Sequence, residues 1–263
     1  MNALLSIWAW AEIALVALAG FVVQAVLWVV CLPFDPGRRV AGRAFRLVGV
    51  VAARLNPFWR FRVVGPARVP PGRTVVVSNH ESNADPFLIS FLPWEMKWLG
   101  KASLFRIPVA GWMMRMAGDV PVERGDSDSA KDAMAACARW LERGVPVMLF
   151  PEGTRSKDGQ LLPFKDGAFR LAIETGADVL PVAVAGTSAA LPKHSWVFGR
   201  SEGRVTAGTP IPTTGLGLDD VEGLKGRARQ AIESLRSRLR EAEPVRPEAP
   251  APAARRSGGT PTG

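Results

Sequence analysis

Residues 13–32 form an unbroken apolar run of twenty residues in which Gln24 is the one strongly polar side chain. As a helix the run extends roughly 30 Å, the thickness of the hydrocarbon core of a bilayer. A helix that is apolar on every side must be surrounded by lipid or by protein. A cleaved signal peptide would carry a basic segment before the run and a small-residue cleavage site after it. Neither is present, and Glu12 stands at its start. The run is therefore predicted to be a membrane anchor, spanning or re-entrant, rather than a core helix. Pro33, Pro36 and Gly37 limit its continuation.

Arg38, Arg39, Arg43 and Arg46 follow the run, and between Asp35 and Arg73 nine arginines stand against one acid. By the positive-inside rule they put the rest of the chain on the cytoplasmic face of the membrane. Much of the formal charge of +9 is concentrated here. Charge alone fits nucleic-acid phosphates and anionic head groups equally. The adjoining anchor, and the lack of the aromatic interleaving used by single-strand binders, favour a bilayer and no nucleic acid. Two cysteines, Cys31 and Cys137, make neither a disulfide framework nor a metal cluster, so no metal is expected.

Beyond the arginines, short apolar runs alternate with helical patterns. Residues 61–65, 74–78, 97–99, 120–122, 145–150, 179–184 and 204–207 read as strands, several of them continuous β-branched runs suited to a buried sheet. Ala130, Met134, Cys137 and Leu141 recur at helical spacing before Gly144, and residues 168–174 form a short helix closed by Gly176. Asp219 or Asp220 caps a last helix with an apolar stripe from Val221 to Leu239 and arginines on its other face. The expected fold class is α/β, a mostly parallel sheet flanked by helices with an N-terminal hydrophobic anchoring helix. The chain then divides into an anchoring segment at 1–35, a basic membrane-proximal segment at 36–60, an α/β domain at 61–242 and a disordered tail at 243–263 rich in Pro, Ala, Gly and Arg.

Polar residues crowd where two of the strands end. Strand 74–78 runs into Asn79, His80, Glu81, Ser82, Asn83, Ala84, Asp85 and Pro86. Asp-Pro is a helix opening, with Asp85 as the cap and Pro86 at the first helical position. In the intervening loop the chain can turn the Asp85 carboxylate back to the imidazole. A carboxylate on Nδ1 fixes the tautomer and raises the basicity of Nε2, as a base removing a hydroxyl proton requires. His194, the other histidine, has no such neighbour and reads as structural. The strand at 145–150 likewise ends in Pro151, Glu152, Gly153, Thr154, Arg155 and Ser156. Ligands of open α/β sheets bind at the carboxyl ends of strands, so the two loops are predicted to face each other. Gly153 allows close backbone approach, and Arg155 offers a fork for phosphate.

These residues carry a resemblance. Asn79-His80, four residues and Asp85, with Phe150 to Ser156 as Phe-Pro-Glu-Gly-Thr-Arg-Ser, resemble two signatures of the glycerolipid acyltransferases that include 1-acylglycerol-3-phosphate acyltransferases. Lys101, residues 105–112, 120–124, 164–169 and 180–184 extend the similarity over roughly 60–210, with Glu123 where the family often has Asp before the arginine. The resemblance implies that 61–242 is an acyltransferase domain. It implies transfer of a fatty acyl group from acyl-CoA or acyl carrier protein to the sn-2 hydroxyl of 1-acyl-glycerol-3-phosphate at a membrane, without an acyl-enzyme and with no cofactor beyond the thioester substrate. His80 is then the general base and Asp85 its orienting acid. Lys101, Arg124 and Arg155 engage phosphate, and Asn79, Glu152, Gly153 and Thr154 shape the acceptor site. The partners implied are a lysophospholipid, an acyl thioester, the bilayer and acyl carrier protein.

Other readings fit less well. A serine hydrolase lacks its Gly-x-Ser-x-Gly elbow. A transacylase, or an enzyme for another lysophospholipid, would share His80 and Asp85 and differ in thioester or head-group dependence. A non-catalytic membrane-binding protein explains the arginines but not the two polar loops.

Overall fold

The computed structural model describes residues 2–67, 72–156, 160–192 and 195–241. The expectations placed on His194 and on the 243–263 tail lie outside these residues.

Seven strands form one sheet: β1 (Arg62–Val63), β2 (Thr74–Ser78), β3 (Lys97–Lys101), β4 (Val120–Val122), β5 (Val147–Leu149), β6 (Asp178–Ala185) and β7 (Arg204–Ala207). Their order is β1-β7-β6-β2-β5-β3-β4, and the pairings are parallel except β6 with β7. The sheet is thus mostly parallel and flanked by helices, as the strand and helix patterns predict. β2, at its centre, is buried along its whole length. Its alternation splits the core: Val75 and Val77 pack among residues of α5 (Ser127–Glu142), α6 (Gly167–Thr175) and α7 (Val221–Glu241). Val76 packs on the other face with Leu88 and Ile89 of α3 (Asp85–Ile89). Burying each such side chain is worth about 1.5–3 kcal/mol, which is why a β-branched run specifies this central position.

All of the apolar run but Leu32 lies inside α1 (Asn2–Cys31), whose stretch from Ala3 to Cys31 is long and apolar enough to cross a membrane. The basic segment that follows is not an extended connector. Residues 39–55 form a second helix, α2 (Arg39–Leu55), packed along α1 and against α4 (Ala110–Ala117). The sequence reading missed both α2 and α4. It also assigned the arginines to head groups, yet several are tied to the protein. Arg46 is buried, pairing with Asp119 and lying 3.9 Å from Glu95, which Lys97 meets at 3.1 Å. Lys97 Nζ also donates to the Arg38 carbonyl at 2.9 Å. Gly42 makes this junction possible, because a Cβ there would fall 2.0 Å from Glu95 Oε1. α2 is therefore bolted to the edge of the sheet by ionic contacts rather than carried on a linker.

α1 is tied down too. Ser6 Oγ accepts from the Phe198 N–H at 3.0 Å, Trp10 Nε1–H donates to the Trp196 carbonyl at 2.8 Å, and the Gln24 amide donates to the Ala41 and Met113 carbonyls. From Ser6 to Gln24 a helix covers roughly 27 Å, so α1 lies along the α/β domain over that length. Its other side carries Leu4, Leu15, Leu18, Val22, Val26 and Val29, all exposed.

Candidate active site

The parallel strands β2, β3, β4, β5 and β6 direct their carboxyl ends to one rim, and that rim gathers the residues singled out in the sequence. After β2 the chain turns sharply so that Asp85, the first residue of α3, reaches back. Asp85 Oδ2 lies 2.7 Å from His80 Nδ1 and accepts the N–H groups of Glu81 at 2.7 Å and Ser82 at 2.9 Å. Its other oxygen accepts the hydroxyl of Thr187. Asp85 was expected to cap the helix with Pro86 at the first helical position. Instead it opens the helix itself, makes no cap hydrogen bond, and spends its carboxylate on the loop and the imidazole. With Nδ1–H donating to Asp85, Nε2 is left as the acceptor. Phe150, the last residue before the second polar loop, stacks on the imidazole at 4.1 Å and fixes the ring plane.

The two loops are joined through the backbone of His80. Its N–H donates to Glu152 Oε1 at 2.9 Å, and its carbonyl accepts the Ser156 N–H at 3.0 Å. Glu152 Oε2 accepts from the Leu162 N–H at 2.9 Å. Burial holds the Glu152 carboxyl above its ordinary value, although the N–H groups of Leu162 and His80 oppose the shift. Glu152 thus acts on the geometry of the loop from inside. Asn79 is also turned inward, donating to the Val184 carbonyl at 3.0 Å and accepting the Val184 N–H at 2.9 Å, which extends the β2–β6 pairing. Gly153 adopts φ +68° against the Lys165 side chain, so close approach at this turn requires glycine. Thr154 is exposed beside it.

Three cations stand on the same rim. Lys101 ends β3 and is exposed, Arg124 follows β4, and Arg155 follows β5. Partial burial and then the like charge of Arg155 hold the Arg124 guanidinium below its ordinary value. Two guanidiniums close enough to feel each other, with no acid bonded to either among the described residues, are a local excess of positive charge that can accept an anion. Glu123 points to Arg106 instead, at 2.9 Å. Next to α3, a cavity of about 220 Å³ between α1, α2 and α4 is lined by Ile13, Ala17, Val48, Pro86, Phe87 and Met113.

Two features of the site escaped the sequence reading. Thr187 is fully buried just past β6, on the same rim, where a polar residue following a strand is the signal that also marked His80. Glu81, next to the imidazole, meets Arg236 at 3.2 Å and Arg240 at 3.8 Å, both on α7. Arg236 is buried, so not all the arginines of that helix lie on its outer face, as its stripe had implied.

A family model described as Acyltransferase matches residues 60–185. The chain is 40% identical over 160 residues to the chloroplastic 1-acyl-sn-glycerol-3-phosphate acyltransferase BAT2 of Brassica napus, covering 60% of this chain and 46% of that one. It spans about half the length of that relative. It is 32% identical over 230 residues to human 1-acyl-sn-glycerol-3-phosphate acyltransferase beta, covering 86% of this chain and 82% of that one. The crystal structure of the acyltransferase PlsC from Thermotoga maritima superposes with a TM-score of 0.76 at 24% identity, covering 93% of this chain and all of that one, and shares the fold. By its two intact signatures and by these relatives, the chain belongs to the glycerolipid acyltransferase family, of the 1-acyl-sn-glycerol-3-phosphate acyltransferase type.

Proposed function

We propose that this protein transfers a fatty acyl group from acyl-CoA or acyl carrier protein to the sn-2 hydroxyl of 1-acyl-glycerol-3-phosphate, giving phosphatidic acid. The observation that carries this reading is the His80–Asp85 pair, oriented by four hydrogen bonds to one carboxylate and set on a rim that also bears Arg124 and Arg155. Nε2 of His80 takes the proton of the acceptor hydroxyl as its oxygen attacks the thioester carbonyl. Collapse of the tetrahedral intermediate breaks the C–S bond, and the imidazolium returns the proton to the departing thiolate. Asp85 holds the ring and balances its transient charge. Arg124 and Arg155, with Lys101 nearby, bind the acceptor phosphate, while Asn79, Glu152, Gly153 and Thr154 set the shape of the loops. No cofactor is required beyond the thioester. The apolar cavity beside α3 suits an acyl chain, because its walls are mainly aliphatic and aromatic.

The names of the relatives support the acceptor, and the exposed apolar side of α1 supports a membrane location. Because α1 is tied to the α/β domain from Ser6 to Gln24, we favour immersion of the hairpin in the near leaflet, with the α/β domain at the cytoplasmic surface. Product analysis with acyl-CoA and acyl carrier protein donors against a panel of lysophospholipids tests the proposal. Phosphatidic acid should form fastest, and only when a thioester is supplied. Faster acylation of a lysolipid lacking a terminal phosphate, or product formed without a thioester, would contradict it.

A further inference from the structure

A second cavity, of about 690 Å³, lies at the opposite end of the sheet from His80. Trp94, Glu95 and Pro146, just before β3 and β5, form one wall, and Leu27 of α1 with Arg39, Val40, Arg43 and Leu47 of α2 form the other. The reaction described above has no use for it. Its volume is within the range of about 300–1,000 Å³ that takes a small amphiphile.

Its lining is apolar except for two guanidiniums and the Glu95 carboxylate. Arg39 and Arg43 are four residues apart on α2 and so share one face of the helix. Arg39 Nη2 donates to the Gly144 carbonyl at 2.8 Å, and Arg43 Nη1 donates to the Leu92 carbonyl at 2.8 Å. Main-chain carbonyls hold each group through one terminal nitrogen without neutralising it, and no carboxylate pairs with either among the described residues. The acid on the wall, Glu95, is occupied by Arg46 and Lys97. Two guanidiniums without a carboxylate partner, in a cavity whose one acid is already paired, complement an anion that carries a hydrocarbon chain. Exposed Val29, Val30, Leu32 and Phe34 at the adjoining end of the hairpin make a lipid layer its natural source rather than free phosphate.

We propose that this cavity binds one anionic phospholipid of the bilayer, its phosphate between Arg39 and Arg43 and an acyl chain along Leu27, Val40 and Leu47. The site rests on the membrane association proposed above and is separate from the reaction centre.

The test uses the full chain and phosphatidylcholine vesicles, with and without phosphatidylglycerol, in a flotation assay. A basic residue near an anionic surface is worth about 1 kcal/mol, so R39Q/R43Q should lose about thirtyfold of the preference for phosphatidylglycerol. R227Q/R238Q removes the same charge from exposed positions on α7, across the sheet from the hairpin, and should lose little. A phosphatidylglycerol with a photoreactive acyl chain should label Leu27, Val40 or Leu47 in the wild type. The label should vanish in R39Q/R43Q and in A44W, which fills the cavity without changing charge. Turnover in neutral detergent micelles should be unchanged in all of these variants, which also reports on their folding. Equal loss of preference in the two arginine pairs, or labelling spread along α1 instead of the cavity wall, overturns the site while leaving membrane association intact. A wild type that ignores both kinds of vesicle overturns the anchor and the site together.

Discussion

The proposed chemistry turns on one carboxylate. Asp85 is fully buried, and three of its four donors come from residues 80–82, within five positions of it, while the fourth, Thr187, arrives from the loop after β6. A hydrogen bond to a charged group is worth about 1.5–3 kcal/mol. Thr187→Val should therefore lower kcat by about tenfold or more with little change in acceptor KM, and Thr187→Ser, which keeps the hydroxyl, should restore most of it. A pH–rate profile separates positioning from a packing defect. Loss of the donor should move the ionisation that governs kcat/KM, whereas a purely structural role would scale the whole profile down without moving it. His80, Asp85 and the 150–156 loop were legible because each follows an apolar strand and breaks its pattern abruptly. Thr187 was not, because a single hydroxyl after a strand resembles any loop threonine. The inward turn of Asn79 and Glu152 was equally hidden, since their partners Val184 and Leu162 lie 105 and 10 residues away.

At the scale of elements, the strands were legible to within about two residues at each end, because runs such as residues 74–78 match a central buried strand and little else. α2 was not, since its arginines looked like a surface polybasic segment. Only the three-dimensional arrangement brings Glu95, Lys97 and Asp119 beneath Arg46. Burial lowers Lys97 and raises Glu95 from their ordinary values, and the attraction between these neighbouring charges opposes both shifts. α7 reaches the site through Glu81. Burial, and then the charge of Asp85, raise the Glu81 carboxyl above 4.5, while Arg236 and Arg240 pull it down. The folded chain thus takes up a proton at a pH where the unfolded chain has not, so this group favours folding increasingly as pH falls through its folded value toward 4.5. That contribution is lost as pH rises through the same value. Thermal unfolding of wild type and Glu81→Gln should then diverge in favour of the wild type as pH is lowered from neutrality toward the ordinary carboxylate range. A stability difference that stays flat across that window would remove Glu81 from this role.

At the scale of the whole molecule, the sheet delivers an imidazole, a carboxylate and three cations to one rim, and α1 lies alongside with its apolar side outward. The sequence left open whether α1 spans a membrane. Its hydrogen bonds at Ser6, Trp10 and Gln24 give a physical reason to favour a helix lying against the domain. The central claim is that His80 removes the proton of the acceptor hydroxyl, and the kcat of a correctly folded His80→Ala enzyme at saturating lysophosphatidic acid and acyl donor tests it most directly. Positioned general-base catalysis is worth about 10²–10⁴ in rate, so kcat should fall by that factor while lysophosphatidic acid binding is retained. A folded His80→Ala protein that turned over at the wild-type rate would contradict the mechanism.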